Sequence, residues 1–289
     1  MRVRVPATTA NVGSGFDCVG IALDWYDEVE LTPGGDVRVE VSGEGADVVP
    51  RDETHLVVRS VHRALDEWGD GRRPGFTLRA HNTIPHARGL GSSAAAIVAG
   101  LALGWGLARD DAPDRTELAR VASLVEGHAD NAAAAVHGGA TLGWIDGDEV
   151  SVHALRLDPA LSTRVWVPTA EVPTSGARAV LPDAVPHRDA VAQAASAAML
   201  VHALAVEPAL LLRATADRIH QRQRASLMGP SLALVDALRE LGVPAAISGA
   251  GPSVFAIGTA DQFALAFQLE TPGFRCAELP VGGGVELHR

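Results

Sequence analysis

The stretch Gly89-Leu90-Gly91-Ser92-Ser93-Ala94 decides the fold. It follows an alternating apolar run (Phe76, Leu78, Ala80) that reads as a strand. It opens an uncharged, alanine-rich run from Ser92 to Ala108 that reads as a long buried helix. At such a junction the first N–H groups of the helix lack internal partners, the helix dipole favours negative charge, and glycines let a phosphate approach the backbone. Ser92 and Ser93 add hydroxyls suited to phosphate oxygen or magnesium. Two other readings compete. An ordinary serine-capped helix start needs no ligand, and Gly89-x-Gly91-x-x-Ala94 fits a relaxed dinucleotide fingerprint. The dinucleotide reading lacks its parallel strand–helix–strand context, and the approach from Asn82 to Arg88 is too long for its tight first turn.

Outward from this loop the chain alternates strand and helix signals. Val3 and Val5 begin a short strand. Val29 and Leu31 begin another, and the turn Pro33-Gly34-Gly35 leads to Val37, Val39 and Val41 at period two, which predicts a β-hairpin. Leu56 to Trp68 carries apolar residues at helical spacing, and a further helix is expected from about Asp114 to Glu126. Ala140–Ile145 and Val150–Leu157, around Asp146-Gly147-Asp148, predict a second hairpin. Past Asp158-Pro159 the pattern restarts with a strand at 164–167 and helices near 188–205, 208–222 and 230–241. Strands at 245–248 and 253–257, a helix at 260–270 and a strand at 274–279 complete it. Adjacent antiparallel strands with paired helices predict an α+β fold rather than a doubly wound sheet. The restart predicts two domains, 1–157 and 158–289.

Composition narrows the chemistry. Of 289 residues, 47% are apolar and 20% charged, enough for a packed core. The 24 basic and 35 acidic side chains give a formal net charge of −11, which argues against nucleic acid as a partner. Every basic residue is arginine. The missing lysine removes Schiff-base and pyridoxal chemistry and the lysine-dependent Walker A site. Any phosphate or carboxylate must be gripped by arginine, backbone amides or metal. Cys18 and Cys276 fit neither a disulfide framework nor a zinc site. The first residues lack the apolar run of a signal peptide, and Ser92–Ala108 is short for a membrane span. A cytoplasmic protein with no membrane partner is the expectation.

Two further loops carry polar or small residues in unusual density. In Pro6–Asp17, Asn11 and Asp17 are isolated polar groups in a small or apolar setting, which points to ligand contacts. Ser248-Gly249-Ala250-Gly251-Pro252-Ser253 reads as a hairpin turn, or as a place where another backbone or a ligand comes close.

The three loops in this order resemble the three motifs of the GHMP kinase superfamily, and Pro85-x-x-x-Gly89-Leu90-Gly91-Ser92-Ser93-Ala94 matches its phosphate loop. Within the superfamily the chain is most similar to the homoserine kinase family. The stretches that carry this are Ala10–Asp17, Glu126-Gly127-His128-Ala129-Asp130-Asn131, Thr174-x-x-x-Arg178-x-x-Leu181-Pro182 and Asp217-Arg218-Ile219-His220-Gln221-x-x-Arg224. The chain departs at Ser14 and Ala129, where prolines are usual, and at His55, where asparagine is common. Pro173-Thr174-Ser175-Gly176 is a loose version of the family's stretch.

The resemblance implies a two-domain GHMP-kinase-like fold with a ribosomal-protein-like N-terminal half and a ferredoxin-like C-terminal half. It implies ATP- and Mg²⁺-dependent phosphoryl transfer to the side-chain hydroxyl of L-homoserine, in threonine biosynthesis. Pro85, Arg88, Gly89, Leu90, Gly91, Ser92, Ser93 and Ala94, with Gly249 and Gly251, would bind the ATP phosphates. Ser92 or Ser93 and Glu126 would hold magnesium, with Glu117 as the other eligible carboxylate. Asn11, Asp17, His128, Thr174, Arg178 and Arg224 would bind substrate. Arg178 and Arg224 suit its carboxylate, Asp17 its ammonium and Asn11 its hydroxyl. Asp130, beside Asn131, is the candidate proton acceptor, the alternative being the phosphate itself. A homodimer is among the expectations. The alternatives are a kinase of this fold acting on another small alcohol, such as mevalonate, and a non-catalytic amino-acid or nucleotide sensor.

Overall fold

The computed structural model describes residues 1–264, 266 and 269–289, with Thr174 and Ser175 described in their backbone alone. β1 (Arg2–Ala10) and β2 (Val19–Pro33) run antiparallel, with Val3 opposite Val29 and Ala10 opposite Gly20. The first half continues through β3 (Arg38–Gly43), α1 (Leu56–Trp68), β4 (Phe76–Asn82), α2 (Ser92–Ala108) and α3 (Arg115–Glu126). It ends with α4 (Asp130–His137), β5 (Ala140–Asp146) and β6 (Glu149–Leu155). On the side away from β1, β2 pairs with β5 near its start and with β4 near its end, and β5 and β6 form the expected hairpin.

The hairpin expected over residues 29–41 does not form. β3 pairs parallel to β4, which lies between it and β2. Period-two alternation identifies a strand and its buried face but not its neighbour. The Arg79–Glu40 ion pair, 2.9 Å across directly opposed residues, belongs to the β3–β4 ladder. The first polar loop is also shorter than its sequence suggests, because β1 continues through Ala10.

α2 is apolar all round, as suits a helix with almost no solvent face. α1 covers it with Val57, Val58, Val61, Ala64 and Leu65. The two helices approach closely because Gly100 and Gly104 present no side chain. A Cβ would stand 2.4 Å from Val57 O at the first and 2.5 Å from Ala64 Cβ at the second.

The second half holds β7 (Ser162–Pro168), α5 (Thr174–Ala179), α6 (His187–Ala205), α7 (Leu211–Ala214) and α8 (Gly229–Glu240), then β8 (Ala245–Ile247), β9 (Val254–Gly258), α9 (Ala260–Phe263) and β10 (Phe274–Glu278). Its antiparallel sheet has the order β10-β7-β9-β8. Alternation in β7 and β9 sends Val165, Val167, Phe255 and Ile257 into the core of the first half. Trp166, Val254 and Ala256 face a second core with Leu232, Val235 and Leu238 of α8. The halves therefore share buried surface. β11 (Glu286–His288) then returns to pair with β1, so the end of the chain belongs by sheet membership to the first half. No helix among the described residues is long and apolar enough to cross a membrane.

Two predicted helices are shorter than their apolar pattern. The segment expected at 208–222 stops at Ala214, because the Asp217 carboxylate accepts the N–H groups of Ile219, His220 and Gln221 at 3.1, 3.1 and 2.8 Å and starts a new turn. The one expected at 260–270 is helical over Ala260–Phe263; Leu265, Phe267 and Gln268 lie outside the described residues.

Candidate active site

The three loops meet at the end of β1. Thr8 N–H donates to Leu90 O at 3.1 Å, Gly249 N–H to Ala10 O at 3.1 Å and Ser253 N–H to Arg88 O at 3.2 Å. Thr8 Oγ1 donates to Asn131 Oδ1 at 2.8 Å, and the buried Ser248 Oγ lies 2.6 Å from Gly89 O and 2.9 Å from Thr9 Oγ1. This crowding explains two glycines. Gly89 and Gly91 have φ of +72° and +68°, and a Cβ would stand 2.1 Å from Ser248 O at Gly89 and 1.9 Å from Thr8 Oγ1 at Gly91. The close approach expected at the third loop is thus made by the first. Thr8, Thr9 and Ser248 were not singled out in the sequence. Their only signal was a hydroxyl in an otherwise apolar, two-sidedly buried setting.

One pocket opens where the loops meet, and all the predicted site residues whose side chains are described line it except Ala94 and Gly251. The side chain of Thr174 lies outside the described residues. Ala94 turns its methyl into the core. Gly251 donates its N–H to Ser248 O at 2.8 Å, behind the pocket wall. Gly91 caps α2 without a side-chain hydrogen bond, and the first intrahelical bond comes from Ala95 N–H, at 2.9 Å. The N–H groups of Ser92 and Ser93, which line the pocket, are therefore available to an anion. Arg88 is not similarly available. Its guanidinium donates to the carbonyls of His86, Pro168 and Thr169 at 2.8, 3.1 and 2.8 Å and to Glu171 at 3.1 Å, clamping the loop to the end of β7.

Beside the helix start, Ser93 Oγ donates to Glu126 Oε1 at 2.5 Å. Glu126 ends α3 with a side chain only 11% exposed, which rules out a freely solvated charge. Glu117 is turned elsewhere, accepting from Arg120 at 3.0 and 3.2 Å, and Arg120 also bridges to Glu67. Among the described residues no group of three or more His, Cys, Asp or Glu side chains is arranged for a metal. A hydroxyl and one carboxylate beside a phosphate-binding turn fit Mg²⁺, which keeps waters and takes much of its coordination from phosphates.

His128 Nδ1 lies 2.7 Å from Asp130 Oδ1, which also accepts Asn131 N–H at 2.7 Å and Asn131 Nδ2 at 3.2 Å. Burial works against charging His128. The Asp130 hydrogen bond and the nearby Asp130 and Glu126 carboxylates outweigh it and raise its pKa above 6.5. In the same pocket Arg178 forms a two-pronged ion pair with Asp17, at 2.8 and 3.2 Å. Asn11 is buried, donating Nδ2 to Gly249 O at 2.8 Å and accepting Asp17 N–H on Oδ1 at 2.9 Å. Arg224 is buried too, with Nε donating to Ala177 O at 2.9 Å.

A second, mostly apolar pocket of about 250 Å³ adjoins the first through Ala87, Ser92 and Ser93. Val29, Leu56, Val57, Ala96 and Ala99 line it, with Asp27, His55 and His86. Burial raises the Asp27 carboxyl, although Thr83 and Ile84 N–H groups donate to it at 2.6 and 2.9 Å. Burial lowers His55, whose Nδ1 accepts Val57 N–H at the start of α1. His55, where the chain departs from the family pattern at a position the resemblance puts near the adenine pocket, lines this cavity.

Residues 55–139 match the GHMP kinases N terminal domain and residues 200–270 the GHMP kinases C terminal domain. The chain is 50% identical to the homoserine kinase of Cutibacterium acnes, across 99% of this chain and 98% of that one. It is 42% identical to the homoserine kinase of Rhodococcus opacus, across 98% and 95%. The crystal structure of homoserine kinase from Cytophaga hutchinsonii superposes with a TM-score of 0.84 at 29% identity, covering 99% of this chain and 96% of that one. Methanococcus jannaschii mevalonate kinase, 12% identical with a TM-score of 0.68, shares the fold. With three loops joined at one pocket and this likeness over nearly its whole length, the chain belongs to the homoserine kinase family of the GHMP kinases.

Proposed function

We propose that the protein transfers the γ-phosphoryl group of ATP to the side-chain hydroxyl of L-homoserine, giving O-phospho-L-homoserine for threonine biosynthesis. One observation carries this reading. The open N-terminus of α2 and the arginine-rich, carboxylate-fitting wall of Arg178 and Arg224 face the same pocket. In a chain without lysine, backbone N–H groups hold the phosphates and arginine forks hold the substrate carboxylate.

In this reading the phosphates lie against Gly89–Ala94, and the nucleoside occupies the apolar pocket beside Ala96 and Ala99. Ser93 and Glu126 hold Mg²⁺, which supplies charge neutralisation to the transferring group. Homoserine sets its carboxylate on Arg178 and Arg224 and its ammonium on Asp17, which leaves its hydroxyl for Asn11 and Asp130. The Asp130 carboxylate, oriented by His128 and Asn131 through Oδ1, accepts the hydroxyl proton on Oδ2.

The deciding experiment is a coupled assay with ATP against homoserine, mevalonate and a panel of amino and hydroxy acids. Turnover with homoserine and identification of its O-phosphate is the expected result. Phosphorylation of mevalonate without homoserine would assign the fold to another alcohol, and nucleotide binding without turnover of any alcohol would make the protein a sensor.

A further inference from the structure

We infer that His220 is a positioning residue for the substrate end of the pocket, holding the Arg224 guanidinium and the loop from Asn11 to Asp17 in register with each other. The inference rests on reading Arg224 and Asp17 as groups that receive homoserine. His220 is fully buried. Its Nε2 lies 2.7 Å from Gly13 O, and its Nδ1 lies 3.2 Å from Arg224 Nη1. A carbonyl only accepts and a guanidinium only donates. The ring is therefore neutral with its proton on Nε2, since this tautomer satisfies both contacts and the other satisfies neither. Asp217 Oδ1, 3.3 Å from Nε2, faces the same N–H. Phe16 stacks on the ring at 4.7 Å and 17°, fixing its plane, and Arg224 Cζ lies 5.6 Å from the centroid of that same phenyl ring.

The loop depends on being held. Asn11, Val12 and Asp17 have φ of +71°, +45° and +56°, a region that residues with a side chain occupy only when their surroundings impose it. Gln193 Nε2 donates to Ser14 O at 2.9 Å, and Ser14 Oγ donates to Ala214 O at 2.6 Å. These bonds anchor the loop to α6 and α7 but do not touch the arginines. His220 is the hydrogen-bonded link between the loop and Arg224. Arg224 has one further anchor, from Nε to Ala177 O at 2.9 Å. With Nε and part of Nη1 engaged, the remaining guanidinium hydrogens are directed as a set, and the carboxylate and ammonium sites keep a constant separation.

Two substitutions test this. His220→Phe keeps a stacking ring and removes both hydrogen bonds, while His220→Gln restores a donor and an acceptor without the ring. In His220→Phe the KM for homoserine should rise at least about tenfold, as for a lost hydrogen bond to a charged group, while the KM for ATP stays within about threefold. His220→Gln should recover part of the loss. A purely structural role would lower the melting temperature without separating the two KM values. In the double variant with Arg224→Ala, the homoserine KM should exceed that of Arg224→Ala alone by clearly less than the factor His220→Phe costs in the wild type, because the part of the effect that passes through Arg224 is already lost. If Arg224→Ala leaves the homoserine KM unchanged, the substrate reading of Arg224 fails and the inference goes with it. If Arg224→Ala raises that KM while the penalties add, or while whichever His220 variant folds keeps the wild-type KM, the positioning role alone is overturned.

Discussion

Arg178 and Asp17 neutralise each other in the lining of the pocket, with Nη2 2.8 Å from Oδ1 and Nη1 3.2 Å from Oδ2. These are the groups proposed to receive the carboxylate and the ammonium of the substrate. A zwitterion can enter between them by exchange. Its carboxylate takes the place of Asp17 on Arg178, and its ammonium takes the place of Arg178 on Asp17. Each charge keeps a partner throughout, so the half-exposed pair adds little stability of its own but sets which ligands fit.

Arg178→Ala should therefore raise the KM for homoserine about ten- to a hundredfold, the range expected for a charge-assisted hydrogen bond, and leave the KM for ATP nearly unchanged. A homoserine ester lacks the free carboxylate and should be used about equally by the variant and the wild type. Equal losses for homoserine and its ester would assign Arg178 to the fold or to the phosphates.

Glu126→Gln should raise the Mg²⁺ concentration needed for half-maximal activity at least about tenfold and depress turnover, since the amide is a much weaker ligand for a hard cation. Glu117→Gln should leave the metal dependence alone, because that carboxylate is engaged with Arg120. The opposite pattern in a metal titration would move the site to Glu117.

How legible was this arrangement in the sequence? The helix start was plain, because glycines, serines and an uncharged helical run coincide at Gly89–Ala108 and α2 begins at Ser92; its phosphate role came from the family resemblance, since a plain cap or a dinucleotide turn fits the same local pattern. Partner choice was not. Val37, Val39 and Val41 announce a strand, but nothing local says that β4 will insert between it and β2. The short α7 was missed because the apolar period continues past Ala214, while the stop is made by a single carboxylate on Asp217. In the site, charged and glycine residues were readable as types. The buried hydroxyls of Thr8 and Ser248 that bind the loops together depend on contacts 123 and 159 residues apart, which no spacing reveals. Arg88 lines the pocket as its place in the motif suggests, but its partners Pro168, Thr169 and Glu171, at the end of β7 and just beyond it, lie some 80 residues away and could not be read from spacing.

His128 makes stability depend on pH in a defined direction. Burial opposes its charge, but the Asp130 hydrogen bond and the Asp130 and Glu126 carboxylates prevail and raise its pKa above the unfolded value of about 6.5. A raised histidine pKa stabilises the fold fully below the unfolded pKa, and this contribution is lost as pH rises through the folded pKa. The stability gap between the wild type and His128→Gln, measured by denaturant unfolding, should be largest near pH 5.5 and shrink steadily toward pH 9. A gap that widens with pH would show that the folded protein holds the ring neutral.

Asp130 is only 2% exposed, and its Oδ1 is already committed to His128 and Asn131. Asp130→Asn is nearly isosteric. Its amide oxygen can still accept from Asn131 N–H and from His128, so the start of α4 and the pocket wall should persist. What it removes is the oxygen proposed to accept the hydroxyl proton. If Asp130 takes that proton in the transition state, kcat should fall about a hundred- to ten-thousandfold, the usual range for a lost general base. The KM values for ATP and homoserine should stay within about threefold, since the change acts on the chemical step and not on binding. A loss in kcat smaller than about tenfold would place the proton on the transferred phosphoryl group and leave Asp130 as the residue that orients Asn131 and His128.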